Sequence, residues 1–394
     1  MGASVNIPLP YNPAMFRWAR ERLAIPVDEA AAKVSVAAVK LTEWEMGEAA
    51  PTVRQGRMLA DAYGRHFLEF FAPHPPALPE VTLVPDFRSF ANTRKTARDE
   101  VNLRAVQEWA EEVRGNTLAL LELIGEQAPV LTSNLKFALS DNAETAAGIV
   151  REAMSFQLDE QTSLKSDEAY TLPGIIRRKI EQLGVLVLKQ SGITKLGVRG
   201  ICLFADPLPT IVFGNEAPGA QAFTLVHELG HVLLRQSGIS GAPGGWGSGS
   251  ANIEGWCNRF AASFLAPKDA IAEALARPDT PSEQISLGVL ATLAKKFWIS
   301  RHAMLIRLID LGYVSANFYW KVMRPIFTKE EEEYKSFGRP PYYGKRFVGS
   351  RGEYYTSLVL EAWAQRRITA HNAAEYMGID NLSHLIDIRE DFLG

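Results

Sequence analysis

The sequence predicts an α+β protein that is mostly helical, with a small sheet near its middle and helical regions on either side. Three observations carry this expectation. Apolar residues recur at helical spacing through both flanks, three short β-rich runs cluster between residues 183 and 213, and a His-Glu-x-x-His segment follows them inside an apolar helical pattern.

Residues 12–71 present apolar residues in short bursts: Phe16, Ala19 and Leu23; Ala30, Ala31 and Val34; Val39, Leu41 and Trp44; then Met58, Leu59, Ala62, Phe67 and Phe70. Gly47 closes one burst and Pro51-Thr52 opens the next, so four or five short helices are expected in a first domain, residues 1–75. Pro73, Pro75, Pro76, Pro79 and Pro85 follow; proline lacks the amide donor a helix needs, and residues 76–98 read as an extended linker. Helical periodicity resumes at residue 99, with long amphipathic segments at 101–123 and 142–154. Strands are expected at 183–188, 200–204 and 210–213, then a helix at 221–235, a Gly/Ser-rich loop at 237–252 and a helix at 253–265 stopped by Pro267. A small sheet feeding two helices across a loop suits a zincin-like metallopeptidase core, assigned to residues 99–280. A helical pair at 282–298 and 301–311 makes residues 281–327 a helix-turn-helix-like segment, and residues 328–394 form a C-terminal helical region. That last region begins with a polar, aromatic stretch, 328–355, before helices at 357–366, 370–377 and 383–389.

Composition excludes several classes. Of 394 residues, 42 are basic and 45 acidic, so no global positive field favours nucleic acid. Two cysteines, Cys202 and Cys257, are too few for a disulfide framework, and a cytoplasmic location is expected. No stretch approaches the ~20 consecutive apolar residues of a membrane span.

The chemistry is concentrated in Phe223-Thr224-Leu225-Val226-His227-Glu228-Leu229-Gly230-His231. Residues four apart share one helix face, so His227 and His231 can grip a single tetrahedral cation, expected to be Zn2+. Glu228 stands where its carboxylate can take a proton from activated solvent without becoming a ligand. Gly230 leaves room for a neighbouring strand or substrate. A catalytic zinc takes three protein ligands, and Glu254, at the start of the next helix, is the expected third. Asn258, one turn on, is placed to orient the Glu254 carboxylate. Cys257 is the rival ligand, although a cysteine among large apolar residues is more often a small core residue.

The run Phe-Thr-Leu-Val-His-Glu-Leu-Gly-His-Val-Leu-Leu, followed by Glu254-x-x-x-Asn258-x-Phe260-Ala261-Ala262-x-x-Leu265-x-Pro267, resembles the ImmA/IrrE family of bacterial metallopeptidases. Gly200-Ile201-Cys202-Leu203, Ile211-Val212-Phe213, Ile299-Ser300 and Arg307-Leu308-Ile309-Asp310-Leu311-Gly312 extend the likeness over residues 172–311. The resemblance implies zinc on His227, His231 and Glu254, with Glu228 as general base. It also implies a zinc endopeptidase in a bacterial or phage regulatory or stress-response system, acting on a specific repressor or antitoxin-like protein.

The first domain resembles the XRE-type helix-turn-helix, through the helix at 27–34, the turn at Ser35 and Thr42-Glu43-Trp44-Glu45-x-Gly47. Residues 36–43 would then be the recognition helix, with Ser35, Lys40 and Thr42 as candidate DNA contacts. The segment departs from a good reader of DNA. Only Lys40 is basic between Ser35 and Trp44, no Asn, Gln or Arg can make bidentate base contacts, and Glu43 and Glu45 oppose phosphate. The alternatives are a module for protein contacts or homodimerisation, or a DNA-binding transcription regulator whose metal site is structural or vestigial. Double-stranded operator DNA, or single-stranded DNA as a signal, is the corresponding partner. Arg339 to Tyr355, where basic and aromatic residues interleave, fits either a single-strand stacking surface or an ordinary packed segment. Asp86-Phe87-Arg88 is a docking element or a surface turn, and residues 329–333 are a solvated charged face.

Overall fold

A computed structural model describes residues 9–76, 97–131, 133–165, 168–240, 253–275, 285–327, 343–379 and 381–393. The Asp86-Phe87-Arg88 element, the 329–333 face, most of the 76–98 linker and residues 241–252 of the expected loop lie outside them. The fold is α+β: many helices and one four-stranded sheet among the described residues. These residues fall into two compact units, 9–76 with 97–109, and those from 110 onward.

The first unit contains α1 (Pro13–Arg22), α2 (Val27–Lys33), α3 (Ala38–Met46), α4 (Val53–Tyr63) and a 3-10 turn, Phe67–Phe71. It also holds the first part of α5 (Ala97–Ile124), whose residues from Ala110 belong to the second unit. Side chains fix the helix starts: Asn12 accepts from the Ala14 amide, and Thr52 with Gln55 forms a reciprocal capping box on α4. Met15, Phe16, Leu23, Leu41, Trp44, Leu59, Tyr63 and Phe70 build the core. Val39, counted in an apolar burst, is instead 71% exposed. It precedes Leu41 by two residues, about 200° around the helix, so it faces away from the stripe that Leu41 and Trp44 bury. Glu45 also departs from expectation. Rather than facing outward to oppose phosphate, it is buried and accepts from Arg20 Nε at 2.7 Å and Nη2 at 2.8 Å. Arg22 and Arg65 both pair with Glu108, closing α1 and the end of α4 onto α5.

The second unit begins with α6 (Ala143–Ala153), α7 (Leu158–Thr162) and α8 (Leu172–Gln182), followed by β1 (Leu186–Lys189), β2 (Gly200–Leu203) and β3 (Thr210–Phe213). Next come α9 (Pro218–Leu233), β4 (Gly238–Ser240), α10 (Ile253–Leu265), α11 (Lys268–Leu275), α12 (Leu287–Lys296), α13 (Arg301–Asp310) and α14 (Ala316–Phe318), which runs on as a π turn, Tyr319–Met323. The chain ends with α15 (Tyr343–Arg351), α16 (Glu353–Ala364), α17 (Ala370–Met377) and α18 (Leu382–Leu393). Strand order is β1-β3-β2-β4, with β1 parallel to β3 and the other pairs antiparallel. All strand positions except Lys189 are buried, which is why these strands appear in the sequence as continuous apolar runs without alternation. Helix α9 packs on β2 and β3 and against α8 and α10, and nearly its whole surface is buried. Among the described residues, several elements are unannounced by the sequence pattern: β4, inside the expected glycine-rich loop, and α7, α8, α11, α14 and α15.

Two buried polar networks hold these layers. Gln161, fully buried, donates to Leu265 O at 2.8 Å and Phe297 O at 2.7 Å and accepts from Arg151, tying α7 to the ends of α10 and α12. Arg307 of α13 grips both oxygens of Glu144 on α6, at 2.7 and 2.5 Å, and donates to Ala266 O; Ser263 and the Lys268 amide complete the Glu144 shell. Arg177 of α8 donates to Gly349 O and Ser350 O, docking α15 beside edge strand β1. The described part of the 339–355 stretch is largely helical, and Tyr355 is fully buried with its hydroxyl donating to Tyr376 O.

Candidate metal centre

Pro218 at the first position of α9 pre-sets its backbone for a helix, and the four-residue step then carries His227 and His231 onto the face that meets α10 and β4. Glu254 enters from the first turn of α10. The three side chains converge: their candidate ligand atoms all lie within 4.8 Å of one another. His227 Nε2 and His231 Nε2 are 3.3 Å apart, Glu254 Oε2 is 3.4 Å from His227 Nε2, and Glu254 Oε1 is 3.0 Å from His231 Nε2. Bonds of about 2.0–2.1 Å from nitrogen and oxygen to a tetrahedral zinc place any two ligands roughly 3.3 Å apart. The separations match that spacing, and two imidazoles with one carboxylate are a donor set a divalent cation of this kind accepts.

Burial sets the electrostatics. His231 and Glu228 are fully buried and His227 nearly so, whereas the Glu254 side chain keeps 23% exposure. Burial pushes the Glu228 carboxyl up to about 8, against the smaller opposing pull of His227. Burial would also raise Glu254, but the two imidazoles outweigh it and hold the group at about 2. His231 is lowered by burial; for His227, burial is overcome by Glu254 and the histidine rises. Their surroundings thus shift two acids on neighbouring helices in opposite directions, Glu228 up and Glu254 down.

Asn258 hydrogen-bonds His227, although the sequence directed its amide to Glu254. Its partner is thus a different member of the cluster. Cys257 stays out of the cluster: fully buried, it faces Gly230, where an added Cβ would stand 3.1 Å from its Sγ. Gly230 therefore opens space for helix α10, not for a strand or substrate. The glycine that serves the site is Gly200, on β2. A Cβ there would stand 2.6 Å from Glu228 Cδ, so no residue with a side chain fits while the carboxylate holds its place. Ser240 was also missed; buried on β4, its Oγ lies 3.4 Å from His231 Nε2. Neither had a usable signal, because one is a strand-end glycine and the other ends a three-residue strand beside a glycine-rich run.

With this geometry in place the comparison with known families becomes informative. Residues 181–308 match the model of the IrrE N-terminal-like domain, Peptidase_M78. The matched segment contains all four strands, α9, α10 and the three converging side chains, and it supports a metallopeptidase-family function for this part of the chain. It covers about a third of the sequence and stops short of the first unit. No curated protein matches the chain.

The candidate DNA contacts belong to the first unit alone. Ser35 is exposed in the turn between α2 and α3 with φ +57°. Lys40 is paired with Glu43 at 2.8 Å, and the Thr42 hydroxyl donates back to Ala38 O at 3.1 Å. Both side chains spend their polar groups within their own helix.

Proposed function

We propose that this protein is a zinc-dependent endopeptidase of a bacterial or phage regulatory system, cutting a specific repressor or antitoxin-like protein in the cytoplasm. The observation that carries the reading is the set of 3.0–3.4 Å separations among His227, His231 and Glu254 with Glu228 buried beside them. A zinc ion on those three residues would supply Lewis-acid polarisation of the scissile carbonyl and activation of solvent. The chain's own contribution is proton handling and exclusion of water. Glu228, confined against Gly200, takes a proton on its carboxylate and returns it to the leaving amine. Its raised proton affinity suits that task. Asn258 steadies the His227 ring while the buried face of α9 keeps bulk water from both imidazoles.

The test is metal content and cleavage together. Purified protein should carry close to one zinc per chain, His231→Ala should lose it, and Glu228→Gln should keep it while losing cleavage of the partner by at least about a hundredfold. Undiminished cleavage by Glu228→Gln would remove the mechanism.

For the first unit, protein contact or homodimerisation is the better supported reading. Val39 and Met46 are 71% and 58% exposed on α3, and the only basic side chain there is neutralised by Glu43. An apolar, charge-balanced helix face suits another protein more than phosphate.

A further inference from the structure

We infer that Ser240 is a positioning residue of the metal centre: its hydroxyl lies against the metal-facing nitrogen of His231, and strand register sets it beside the Glu228 carboxylate lying across Gly200. The inference rests on the metallopeptidase reading and adds to it a residue outside the His-Glu-x-x-His motif and outside α10.

Strand register places Ser240 beside Gly200. In the antiparallel β2–β4 pair, Gly200 stands opposite Ser240, and cross-strand partners project to the same face of a sheet. That face meets α9, because the space a Cβ on Gly200 would need already holds the Glu228 carboxylate. Ser240 therefore projects toward α9 beside Glu228, while Ile239, one residue earlier, turns to the opposite face and is equally buried. The strand end is anchored, since Ser240 O accepts from the Arg199 amide at 2.9 Å.

The second step is distance. Ser240 Oγ lies 3.4 Å from His231 Nε2, close to the 3.0 Å and 3.3 Å that separate that nitrogen from Glu254 and His227. The hydroxyl thus stands beside the nitrogen with which His231 would hold the ion. The third step is need. Both Glu228 oxygens are buried without a hydrogen bond of ordinary geometry, and a buried carboxylate in that condition is costly unless something polar faces it. The strand register sets the Ser240 hydroxyl on the face of the sheet against which that carboxylate lies. A serine on an edge strand would thus couple the register of β4 to the aim of Glu228.

The test uses the full-length chain loaded with Co2+ alone, whose visible spectrum reports the geometry around the ion without any substrate. The expected result has three parts. Ser240→Ala binds Co2+ within about threefold of the parent but shifts its visible d–d bands; Ser240→Thr, which restores the hydroxyl, returns them toward the parent; and Ser240→Cys adds a thiolate-to-cobalt charge-transfer band in the near ultraviolet. A Ser240→Ala spectrum that superimposes on the parent, a Ser240→Cys protein that holds Co2+ without that band, or loss of Co2+ binding in Ser240→Ala would each overturn the inference. Failure of the parent itself to bind Co2+ is a separate result, and it strikes the endopeptidase reading first.

Discussion

Glu228 and Glu181 have the same environment in one respect and opposite uses. Each is a buried carboxyl on a helix whose proton affinity is raised by desolvation, Glu228 to about 8 and Glu181 to about 7. Glu181 pairs with Arg177 at 3.2 Å and is not a member of the His-His-Glu cluster, so its consequence is for stability. A carboxyl whose folded pKa lies above its unfolded value stabilises most below the unfolded pKa, and that contribution is lost as pH rises through about 7. Glu181→Gln should therefore gain stability relative to the parent on going from about pH 5 to about pH 8, read by urea unfolding at each pH. A variant that loses stability relative to the parent over that range would contradict the burial argument. At Gly200 the constraint is steric. Gly200→Ala must displace the Glu228 carboxylate or the strand, and loss of cleavage with zinc content retained is expected.

At the scale of elements, the ion pair between Arg307 and Glu144 joins α13 to α6 and, through Lys268 and Ser263, to α10 and α11. Arg307→Ala would leave Glu144 half-buried and unpaired. Breaking a fully buried pair costs about 3–5 kcal/mol; with the Glu144 side chain still 35% exposed, about 2 kcal/mol is expected, seen as a lower urea midpoint at an unchanged slope. Glu144→Gln should cost at least as much, because its amide keeps part of the hydrogen bonding but leaves the charge of Arg307, only 3% exposed, uncompensated in the interior. These clamps were invisible in the sequence. Arg307 and Glu144 are separated by 163 positions, and nothing in either local pattern marks a partner. By contrast α9 and α10 were legible within a few residues, because their apolar periodicity and the breakers around them are local properties. Strand β4 was not, since a three-residue strand gains its identity only from pairing with β2.

At the scale of the molecule, the two units allow separate experiments. If the first unit serves protein contact, deleting residues 1–75 should leave zinc binding intact and lower the apparent mass in solution or abolish capture of the partner. Mobility-shift titrations of the intact chain on its own upstream DNA should then show only weak, strongly salt-dependent binding. Tight binding that is lost with residues 1–75 would instead favour the transcription-regulator alternative and revive Lys40 and Thr42 as contacts. The family match supports only the central segment, so these outcomes decide what the flanking helices add.

The sequence by itself determined the helical character of the flanks, the short apolar strands, the two histidines one turn apart and the acid beside them, because each is encoded in spacing along a single element. Only the tertiary structure decided that Glu254 comes within reach of both imidazoles, that Asn258 contacts His227, that Glu45 turns inward to Arg20, that Gly200 lies against Glu228 and that Ser240 lies against His231. Those relations join residues on separate elements, and the free energy that selects them is burial and pairing across the fold, which no local pattern carries.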